Sequence, residues 1–284
     1  MNQSNSAIQD LDPRHAQQWW HTDIIDMRPG EIRYRGYPIE ELIGQVNFAD
    51  MVWLMTRGEL PTRAQSTLLE AALVSAVDHG PQAPSIAIAR MAMTCGGSLN
   101  NAMASAVNVL DDVHGGAGEQ AVELYQRILG LQSGGHSLEA AVSEGIAEWQ
   151  QTRSKNIPGF GHRFHPIDPR GPKLLSLVEE AAARGEVGGS FVTIAREIER
   201  QLIAKKNKPI PLNIDGATAV IYAELGFPAP LARGLFCLSR SVGILAHAWE
   251  QKCQGGRNKG PMPKGWLWPY GGPAQRSVPE RNSR

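Results

Sequence analysis

Four interruptions of an otherwise helical sequence pattern carry side chains that can do acid–base or anion-binding chemistry. They are Asp78–Pro81, Val113–Ala117, Pro158–Arg163 and Pro211–Gly216. Glycine permits positive φ and close approach of the backbone to a ligand, so a histidine beside it can point into a cleft. His79, His114 and His162 all occupy such junctions. A single histidine of this kind more often caps a helix or faces solvent, but three of them together with an aspartate favour a site.

Asp215 lies in the fourth junction and has the properties of a general base. Asn213 is a typical N-cap residue, which places Asp215 in the first turn of the helix that follows. The backbone N–H groups and the dipole at a helix N-terminus favour the ionised carboxylate, the form that accepts a proton at neutral pH. Stabilisation of the helix end alone is the alternative explanation for this residue.

Two arginines are expected to bind anions. Arg170 follows Asp168-Pro169, and Arg240 lies among apolar residues of a long helical segment. An arginine on an apolar helix face needs an anionic partner because an unpaired buried charge is costly. A guanidinium group holds a carboxylate through two parallel hydrogen bonds. Each arginine therefore either binds a substrate carboxylate or forms a structural ion pair.

A metal site is the competing interpretation of the third junction. His162, His165 and Asp168 are spaced three residues apart, and all three can ligate a metal ion. Pro166 and Pro169 prevent a regular helix there, so the spacing does not bring the three side chains to one helix face. We therefore predict no metal ion.

Motifs of several other enzyme classes are absent from the sequence. It contains no G-x-x-x-x-G-K-[ST] phosphate loop, no H-E-x-x-H zinc motif and no G-x-S-x-G nucleophile motif. Gly159-Phe160-Gly161 begins like a dinucleotide fingerprint, but Phe164 stands where its last glycine would be and no strand precedes it. Nucleotide hydrolysis, zinc proteolysis and esterase chemistry are therefore disfavoured.

The elements that must position these residues are mainly helices. Ile24–Tyr34 is predicted to form a small hairpin with its turn at Pro29-Gly30. Helical spacing of apolar residues predicts helices that open at Pro61, after a Ser98 cap, near Ala117 and at His136-Ser137. Further amphipathic stretches cover residues 172–184, 190–207, 215–226 and 230–252. Because strands and helices do not alternate, the predicted fold is mainly α rather than a Rossmann-type sheet.

The overall composition indicates a soluble globular protein. Of 284 residues, 28 are basic and 28 acidic, and 42% are hydrophobic. This composition supports a core and argues against a protein held mainly to nucleic acid or anionic membrane. Three cysteines without a C-x-x-C pair fit a reducing compartment. Neither a signal peptide nor an unbroken apolar run of membrane-spanning length is visible, so we expect a cytoplasmic location without nucleic-acid or membrane partners.

Residues 251–284 form a basic segment rich in Gly, Pro and Trp. Seven Lys and Arg residues stand against Glu280 alone, a net charge of +6, which leaves −6 on the first 250 residues. Trp266, Trp268 and Tyr270 lie close together in this tail. Clustered aromatic residues are unusual in a disordered segment, so the tail either anchors on a neighbouring surface or is simply solvated.

The polar junctions belong to a longer series of motifs. In chain order the motifs are Arg33–Leu42, Gly58–Pro61, Asp78-His79, His114–Ala117, Gly159–Arg163, Asp168–Arg170, Asn213–Gly216 and Ser239–Gly243. This order resembles the citrate synthase superfamily and covers about residues 22–250. The resemblance implies a multi-helix citrate-synthase-like catalytic unit of large and small subdomains at residues 22–250, between a polar segment at residues 1–21 and the basic tail at residues 251–284.

Two features depart from the citrate synthases. They have a long helical stretch between the Gly-Glu-Leu-Pro and Asp-His motifs, whereas only Thr62–Val77 separates these motifs here. This shortened middle region resembles the citryl-CoA lyase branch, including the lyase module of ATP-citrate lyase. The synthases' tail arginine has no clear equivalent, since Arg276 matches it by position only. His114-Gly115-Gly116-Ala117, in contrast, is more similar to the synthases.

The resemblance implies a role for each candidate catalytic residue. Asp215 would remove a proton from the methyl group of acetyl-CoA, or return it during cleavage. His114 would donate a hydrogen bond to the thioester oxygen as enolate charge develops, an interaction worth about 3–4 kcal/mol for a well-placed donor. His162 would protonate the oxaloacetate carbonyl as the carbon–carbon bond forms and take that proton back during cleavage.

The same resemblance implies two binding regions. The substrate carboxylates would be bound by His79, Arg170 and Arg240. Coenzyme A would lie against the loop formed by Pro158, Gly159, Phe160 and Gly161, with Lys155 and Arg163 near its phosphates. Coenzyme A is expected as part of a thioester substrate, without a tightly bound cofactor.

The expected function is that of a citryl-CoA lyase-type enzyme. It would reversibly cleave citryl-CoA, or a related hydroxy-diacyl-CoA, to acetyl-CoA and oxaloacetate through an enolate. Loss of the middle stretch would open the site, which suits this step better than controlled thioester hydrolysis. A compact citrate or 2-methylcitrate synthase is the first alternative, and a non-catalytic CoA-binding subunit is the second. A homodimer or higher homo-oligomer is expected from the resemblance.

Overall fold

The computed structural model describes residues 13–162, 166–206 and 210–278. In these residues the chain forms one antiparallel sheet of three short strands in the order β1 (Ile25–Arg28), β2 (Glu31–Tyr34) and β3 (Tyr37–Pro38). The helices are α1 (Pro13–Trp19), α2 (Ile39–Leu42), α3 (Phe48–Arg57), α4 (Arg63–Ser75), α5 (Pro84–Thr94), α6 (Leu99–Val107), α7 (Ala117–Ser133), α8 (Leu138–Thr152), α9 (Arg170–Ala183), α10 (Ser190–Lys206), α11 (Ile214–Glu224) and α12 (Ala229–Gln254). The prediction of a mainly α fold with a small N-terminal hairpin is confirmed.

Helix α11 is the centre of the larger hydrophobic core. Nine of its eleven residues are buried, and it packs against α4, α7, α9 and α10. A helix that is hydrophobic all round is expected in such a position. Burial of each large side chain, such as Ile221 and Tyr222, contributes roughly 1.5–3 kcal/mol. Because Asp215 lies in the first turn of α11, the core fixes the position of this carboxylate.

A second, smaller core joins α5, α6 and α12. Ala89, Ala106 and Ile244 have no exposed surface there, and the small alanine side chains let the helices approach closely. Ala76 and Leu110, which precede the first two polar junctions, belong to this core. Residues next to the fourth junction belong to the larger core. The candidate site therefore lies at the border between the two cores.

The long helix α12 is a core helix. By length and composition alone it is long and apolar enough to span a membrane, with a mean hydropathy of 1.2 over an 18-residue window, 44% of which is buried inside the fold. It packs against α4, α5, α6 and α7, and Arg233 and Arg240 lie within it. Its apolar surface is thus explained in large part by packing within the chain.

One helix, α4, occupies the shortened middle region. Thr62 is its N-cap, and Thr62 and Gln65 form a capping box in which each side chain accepts a hydrogen bond from the other residue's backbone N–H. The prediction that the helix opens with Pro61 in its first turn is therefore wrong by two residues: the cap at Thr62 starts the helix at Arg63. At the other end Ala76 is the C-cap, and Asp78-His79 follow at once.

The other predicted elements agree with the structure to within a few residues. The hairpin is present, and a third strand extends it. Helices begin at Ala117 and after the N-cap Ser137, whose hydroxyl accepts a hydrogen bond from Ala140 N. Ser98 is at the N-cap position of α6, but its hydroxyl bonds to Asn100 rather than to the helix backbone. Helices α3 and α5 were absent from the sequence prediction.

Both segments outside the predicted catalytic unit contain ordered structure. Helix α1 lies within the predicted polar segment, and α12 continues to Gln254, past the predicted boundary at residue 250. Beyond α12, Asn258 N donates a hydrogen bond to Thr94 O at 2.8 Å, so the tail begins along α5. The aromatic cluster of the tail is 55–75% exposed. Its anchoring on a neighbouring surface therefore stays a prediction.

Replacement of Gly243 by alanine should destabilise the fold at the contact between α4 and α12. A Cβ at Gly243 would overlap the carbonyl oxygen of Val77 and lie 3.2 Å from Asp78 Cβ. Overpacking of this kind costs about 1–3 kcal/mol in the free energy of unfolding, which urea denaturation measures. Gly130→Ala is the matched control, because a Cβ there meets no atom within 4 Å and alanine stabilises a helix interior by roughly 0.5–1 kcal/mol. Equal effects of the two substitutions would contradict this account.

Candidate active site

The six side chains marked by the sequence for catalysis and substrate binding face one another in the structure. They are His79, His114, His162, Arg170, Arg240 and Asp215. The rings of His79 and His162 meet edge to face with their centroids 5.7 Å apart. Asp215 interacts electrostatically with both arginines, and Arg240 does so with His114 and His79. Residues from four separate junctions and two helices thus form one cluster.

The C-terminal end of α4 holds both arginines in place. Three backbone carbonyl groups at this end accept hydrogen bonds. Ser75 O accepts from Arg170 Nη1 (3.2 Å), Ala76 O from Arg240 Nε (3.1 Å) and Val77 O from Gly243 N (3.1 Å). The last carbonyls of a helix have no partner within the helix and carry the negative end of its dipole. Cationic donors therefore suit this position, and they gather around the residue that follows, His79.

Asp215 is held at the N-terminus of α11 with its carboxylate open. The Asn213 side chain accepts hydrogen bonds from Asp215 N (3.0 Å) and Gly216 N (3.2 Å), which confirms the predicted N-cap. Within the described part of the chain, no hydrogen bond reaches the carboxylate oxygens of Asp215. These oxygens can therefore exchange a proton with a substrate.

Burial changes the expected ionisation of Asp215. The sequence predicts that the helix N-terminus favours the carboxylate form. In the structure burial raises the pKa of Asp215 above its ordinary value of 3.8, while Arg240 and Arg170 act in the opposite direction. Burial dominates because the ionised form loses more hydration than the arginines return. The acid form of Asp215 is consequently more accessible than at an exposed helix end.

The Pro158–Gly161 loop packs against the N-terminus of α11, next to Asp215. Gly159 O accepts a hydrogen bond from Asn213 N at 2.9 Å, and Gly161 O accepts one from Asn213 Nδ2 at 2.7 Å. A Cβ at Gly159 would lie 2.5 Å from Gly216 Cα, and φ at Gly159 is +81°. Only glycine suits this close approach. The loop thus packs against the start of α11, and its contact with coenzyme A stays a prediction.

His114 is oriented by the N-terminus of α5. Its Nε2 accepts a hydrogen bond from Ser85 N at 3.1 Å and lies 3.0 Å from Ser85 Oγ. A ring nitrogen that accepts from a backbone N–H cannot carry a proton itself, so the proton of the neutral ring is on Nδ1. Burial lowers the pKa of His114 below its ordinary value of 6.5, and Arg240 and His79 lower it further. His114 is therefore a neutral hydrogen-bond donor through Nδ1.

The turn that carries His79 is fixed by a second histidine. Asp78 Oδ1 lies 3.2 Å from His247 Nε2 on α12. Burial acts to raise the pKa of Asp78, but hydrogen bonds with His247 and the backbone outweigh it and lower the pKa. His79 itself is exposed on one side. Its pKa is lowered by burial of the rest of the ring and by Arg170 and Arg240.

Arg170 is engaged by a carboxylate of its own chain. Its Nε and Nη2 donate to the two oxygens of Asp168 at 2.9 Å and 2.8 Å, a bidentate pair. His162 Nε2 lies 4.0 Å from the same carboxylate, which is fully buried. Burial acts to raise the pKa of Asp168, but the Arg170 hydrogen bonds outweigh this effect and lower it. Of the two alternatives for Arg170, the structure thus shows the ion pair, and the substrate clamp stays a prediction.

Arg240 has a different environment from Arg170. It is 5% exposed, and its guanidinium group stacks over the Phe236 ring at 4.9 Å. Among the described residues its only hydrogen bond runs to Ala76 O, and no carboxylate forms an ion pair with it. Burial lowers the pKa of Arg240, whereas Asp215 and Asp78 raise it. A buried guanidinium without a paired carboxylate is costly, so the role of Arg240 in binding a substrate carboxylate stays a prediction that this environment favours.

The described residues include only part of the predicted coenzyme A region. Lys155 is exposed, and its backbone carbonyl accepts a hydrogen bond from Gln150. Arg163 lies outside the described residues, and so does His165 of the metal-site alternative. Asp168, the third member of that alternative, is bound by Arg170.

Two residues with structural roles in the site were not predicted as site residues. Ser85 sets the proton position on His114, and Asp168 pairs with Arg170. Asp168 carried a signal, since it stands two residues before Arg170 in a motif with proline between them. Ser85 carried none, because its contact with His114 spans 29 residues and uses a backbone N–H that every residue type except proline possesses.

His114 should be neutral and protonated on Nδ1 at pH 6.5. The backbone N–H bond on Nε2 requires the proton of the neutral ring to be on Nδ1, and a pKa below 6.5 makes the neutral ring the major form at this pH. Nitrogen NMR of ¹⁵N-histidine-labelled protein distinguishes the two ring nitrogens, and His114→Gln assigns the signal by its loss. A protonated Nε2, or a charged ring at pH 6.5, would refute the assigned tautomer.

Comparisons with known proteins place the chain in one family. The family model of the citrate synthase C-terminal domain matches residues 16–73 and 62–261. The structure of citryl-CoA lyase from Hydrogenobacter thermophilus aligns with a TM-score of 0.79 and 33% identity, covering 92% of this chain and 97% of that one. ATP citrate lyase from Methanothrix soehngenii, solved with citrate and coenzyme A, shares the fold with a TM-score of 0.73 and 22% identity over 92% of this chain and 45% of that one.

A curated citrate synthase from Acidithiobacillus ferridurans is 28% identical over 228 residues, which is 78% of this chain and 55% of that protein. The chain spans about half the length of the curated citrate synthases that it matches. The match to the family model covers most of the chain and includes all six residues of the cluster. The chain belongs to the citrate synthase family.

Proposed function

We propose that the protein reversibly cleaves citryl-CoA, or a closely related hydroxy-diacyl-CoA, to acetyl-CoA and oxaloacetate. The observation that carries this proposal is the convergence of a buried carboxyl group, a neutral histidine donor and two guanidinium groups around one space. These groups match the needs of carbon–carbon cleavage beside a thioester: an acid or base for carbon, a donor for the enolate oxygen and clamps for carboxylates.

In cleavage one residue accepts a proton from the substrate and a second residue donates a different proton to it. His162 takes the proton of the citryl hydroxyl group while the carbon–carbon bond breaks, which leaves the oxaloacetate carbonyl and the enolate of acetyl-CoA. Asp215 then donates its proton to the enolate carbon. The raised pKa of Asp215 favours the acid form that this step needs. Condensation runs the same steps backwards, with Asp215 as the base.

His114 stabilises the intermediate. Its Nδ1–H donates to the thioester oxygen, where negative charge develops in the enolate. A neutral imidazole suits this role because its tautomer is fixed in advance by Ser85, so little reorganisation is required during the reaction.

The arginines and His79 bind the carboxylates of the substrate. Arg240 is ready for an anion because no carboxylate of the described residues is paired with it. Arg170 is paired with Asp168, so it binds substrate through the remaining Nη1 side or by sharing its bonds with that carboxylate. Coenzyme A enters as part of the thioester, with the Pro158–Gly161 loop and Lys155 as contacts, and no tightly bound cofactor is required.

Two observations support cleavage rather than the complete synthase reaction. A single helix, α4, joins Thr62 to the Asp78-His79 turn, so the region that would carry a cap is short. The lyase from Hydrogenobacter thermophilus matches nearly its full length to this chain. Controlled hydrolysis of a thioester needs an enclosed site that manages water.

A compact citrate or 2-methylcitrate synthase is the second candidate. It is favoured by the identity with citrate synthases over most of this chain, and it would use the same Asp215 and His114. A non-catalytic subunit that binds coenzyme A would lack turnover altogether. We place the protein in the cytoplasm, as its cysteine usage suggests.

Purified protein should release oxaloacetate from citryl-CoA without releasing free thiol from acetyl-CoA plus oxaloacetate. NADH oxidation by added malate dehydrogenase follows the first reaction, and a thiol reagent follows the second. Asp215→Asn should lower kcat about 10²–10⁴-fold, the usual contribution of a general acid–base group. Asp26→Asn, on the exposed strand β1, is the control and should keep full activity.

Thiol release from acetyl-CoA plus oxaloacetate would make the protein a synthase. No turnover in either assay, with coenzyme A still bound, would favour the binding subunit.

The pH dependence of activity tests the assignment of Asp215 in a stated direction. Cleavage and condensation both need one proton in total on the pair formed by Asp215 and His162. Activity falls at low pH when both groups are protonated. Since burial raises the pKa of Asp215, this acid limb should lie above pH 3.8, and a limb at or below that value would contradict the assignment.

We also propose that the protein is a homodimer formed through α12. Leu238, Val242, Leu245 and Trp249 are 38–59% exposed, and their spacing of four, three and four residues places them on one helix face. Such an apolar stripe on a long helix suits self-association about a two-fold axis.

Val242→Asp should reduce the mass measured by sedimentation to that of the 30.9 kDa chain. A charge at the centre of the stripe would have to be buried in the dimer without a partner. Ile43→Asp, at an equally accessible apolar residue on another element, should leave the mass unchanged. A wild-type protein that sediments as a monomer, or a dimer unaffected by Val242→Asp, would count against this interface.

A further inference from the structure

We propose that Arg233 positions His114 by fixing the loop that carries it. Arg233 lies on α12, two helical turns before Arg240, and thus on the same side of the helix as the substrate clamp. It is a positioning residue and makes no contact with the reacting atoms. The kinetic consequence of this role rests on the proposed function, whereas its effect on His114 does not.

The guanidinium group of Arg233 bonds to three carboxylates at once. Its Nη1 donates to Asp111 at 2.6 Å, Nη2 donates to Asp112, and Nε donates to Glu119. Asp111 and Asp112 precede His114 in the loop, and Glu119 follows it in the first turn of α7. The hydrogen bond with Asp112 and the bond with Glu119 raise the pKa of Arg233. One planar cation therefore clamps the loop on both sides of the histidine.

The loop itself is tightly folded. Asp111 N donates a hydrogen bond to His114 O at 2.8 Å. Gly115 has φ of +106°, and a Cβ at Gly116 would lie 2.7 Å from Asp112 Cα. The turn is therefore compact, but these bonds are internal to it and do not fix its orientation relative to α5 and α12.

Apolar packing holds the chain at Leu110, which is buried in the smaller core, but it does not extend to residues 111–113. The Val113 side chain is wholly exposed, and the side chains of Asp111 and Asp112 are 79% and 76% exposed. An exposed ion pair contributes little stability on its own. Arg233, in contrast, is only 23% exposed and bonds to three carboxylates. These bonds restrict the orientation of the loop, because the planar guanidinium fixes where each carboxylate must lie.

The orientation matters because His114 contacts a different helix. Its Nε2 must meet Ser85 N on α5 to leave the proton of the neutral ring on Nδ1. Both α5 and α12 belong to the smaller core. By attaching the loop to α12, Arg233 holds the ring in register with α5, and a shift of about 1 Å in such a group is enough to reduce turnover about 100-fold.

Three variants and two readouts test the proposal. Arg233→Met removes the fork, Arg233→Lys keeps the charge without the planar geometry, and Arg127→Met is the matched control. Arg127 makes an equivalent bidentate bond with Glu148 on the outer face of α7 and α8. The readouts are the ¹⁵N signals of the His114 ring during a pH titration, and kcat and KM for citryl-CoA. His79 and Arg240, the charged or titratable groups that face His114, are unchanged in every variant.

In Arg233→Met the His114 ring should lose its fixed tautomer, and its pKa should move up toward 6.5 as the loop is released to water. The value of kcat should fall about 10- to 100-fold with a much smaller change in KM, because the donor acts on the enolate. Arg233→Lys should lie between Arg233→Met and wild type in both readouts, and Arg127→Met should match wild type. In a double variant with His114→Gln, the substitution of Arg233 should cause no further loss.

An unchanged His114 signal in folded Arg233→Met protein would overturn the proposal, as would a loss of kcat that adds fully to that of His114→Gln. If Arg233→Met does not fold, the NMR signals of Arg233→Lys decide the question. A protein that cleaves no thioester would refute the proposed function alone, since the His114 titration needs no substrate.

Discussion

The carbonyl groups at the C-terminal end of α4 are the constraint on which the site depends. Helix ends leave carbonyls that must find partners, and here those partners are Arg170, Arg240 and the backbone of Gly243. One short helix thereby sets the position of two cations from distant parts of the chain, and His79 emerges where that helix stops. The glycine at position 243 is needed because the α12 backbone comes into direct contact with Val77 O. A middle region that consists of α4 alone thus suffices to anchor both arginines.

Burial then tunes the groups that α4 and α11 bring together. It raises the pKa of Asp215 and lowers the pKa values of His79 and His114. All three shifts move a group toward its neutral form, as desolvation demands. The two arginines stay charged, so fixed cations lie beside groups whose neutral forms are favoured by burial. In the proposed reaction this combination attracts the substrate carboxylates without protonating His114.

The sequence was informative wherever chemistry coincided with a break in helical pattern. The N-cap role of Asn213 and the position of Asp215 followed from local rules, and the order of short motifs indicated the fold. The start of α4 was displaced because Thr62, and not the proline before it, supplies the cap. The bond from Ser85 N to His114, the three-way contact of Arg233 and the carbonyl anchors of the arginines were not accessible. Each joins segments far apart in the chain, and neither the backbone groups involved nor the side-chain types alone identify the partner.

The pair of Asp168 and Arg170 resolves a difficulty in such a site. A buried guanidinium without a counter-ion is costly, yet a clamp that is fully neutralised has little affinity for substrate. Arg170 is neutralised by Asp168, whereas Arg240 relies on its stacking with Phe236 and on the field of Asp215. Arg240, which forms no ion pair among the described residues, is therefore more available than Arg170 to a substrate carboxylate in the proposed reaction. Asp168 Oδ2 also lies 4.0 Å from His162 Nε2. In the proposed reaction the same carboxylate would therefore both moderate the affinity of Arg170 for substrate and stabilise His162 when His162 holds the hydroxyl proton.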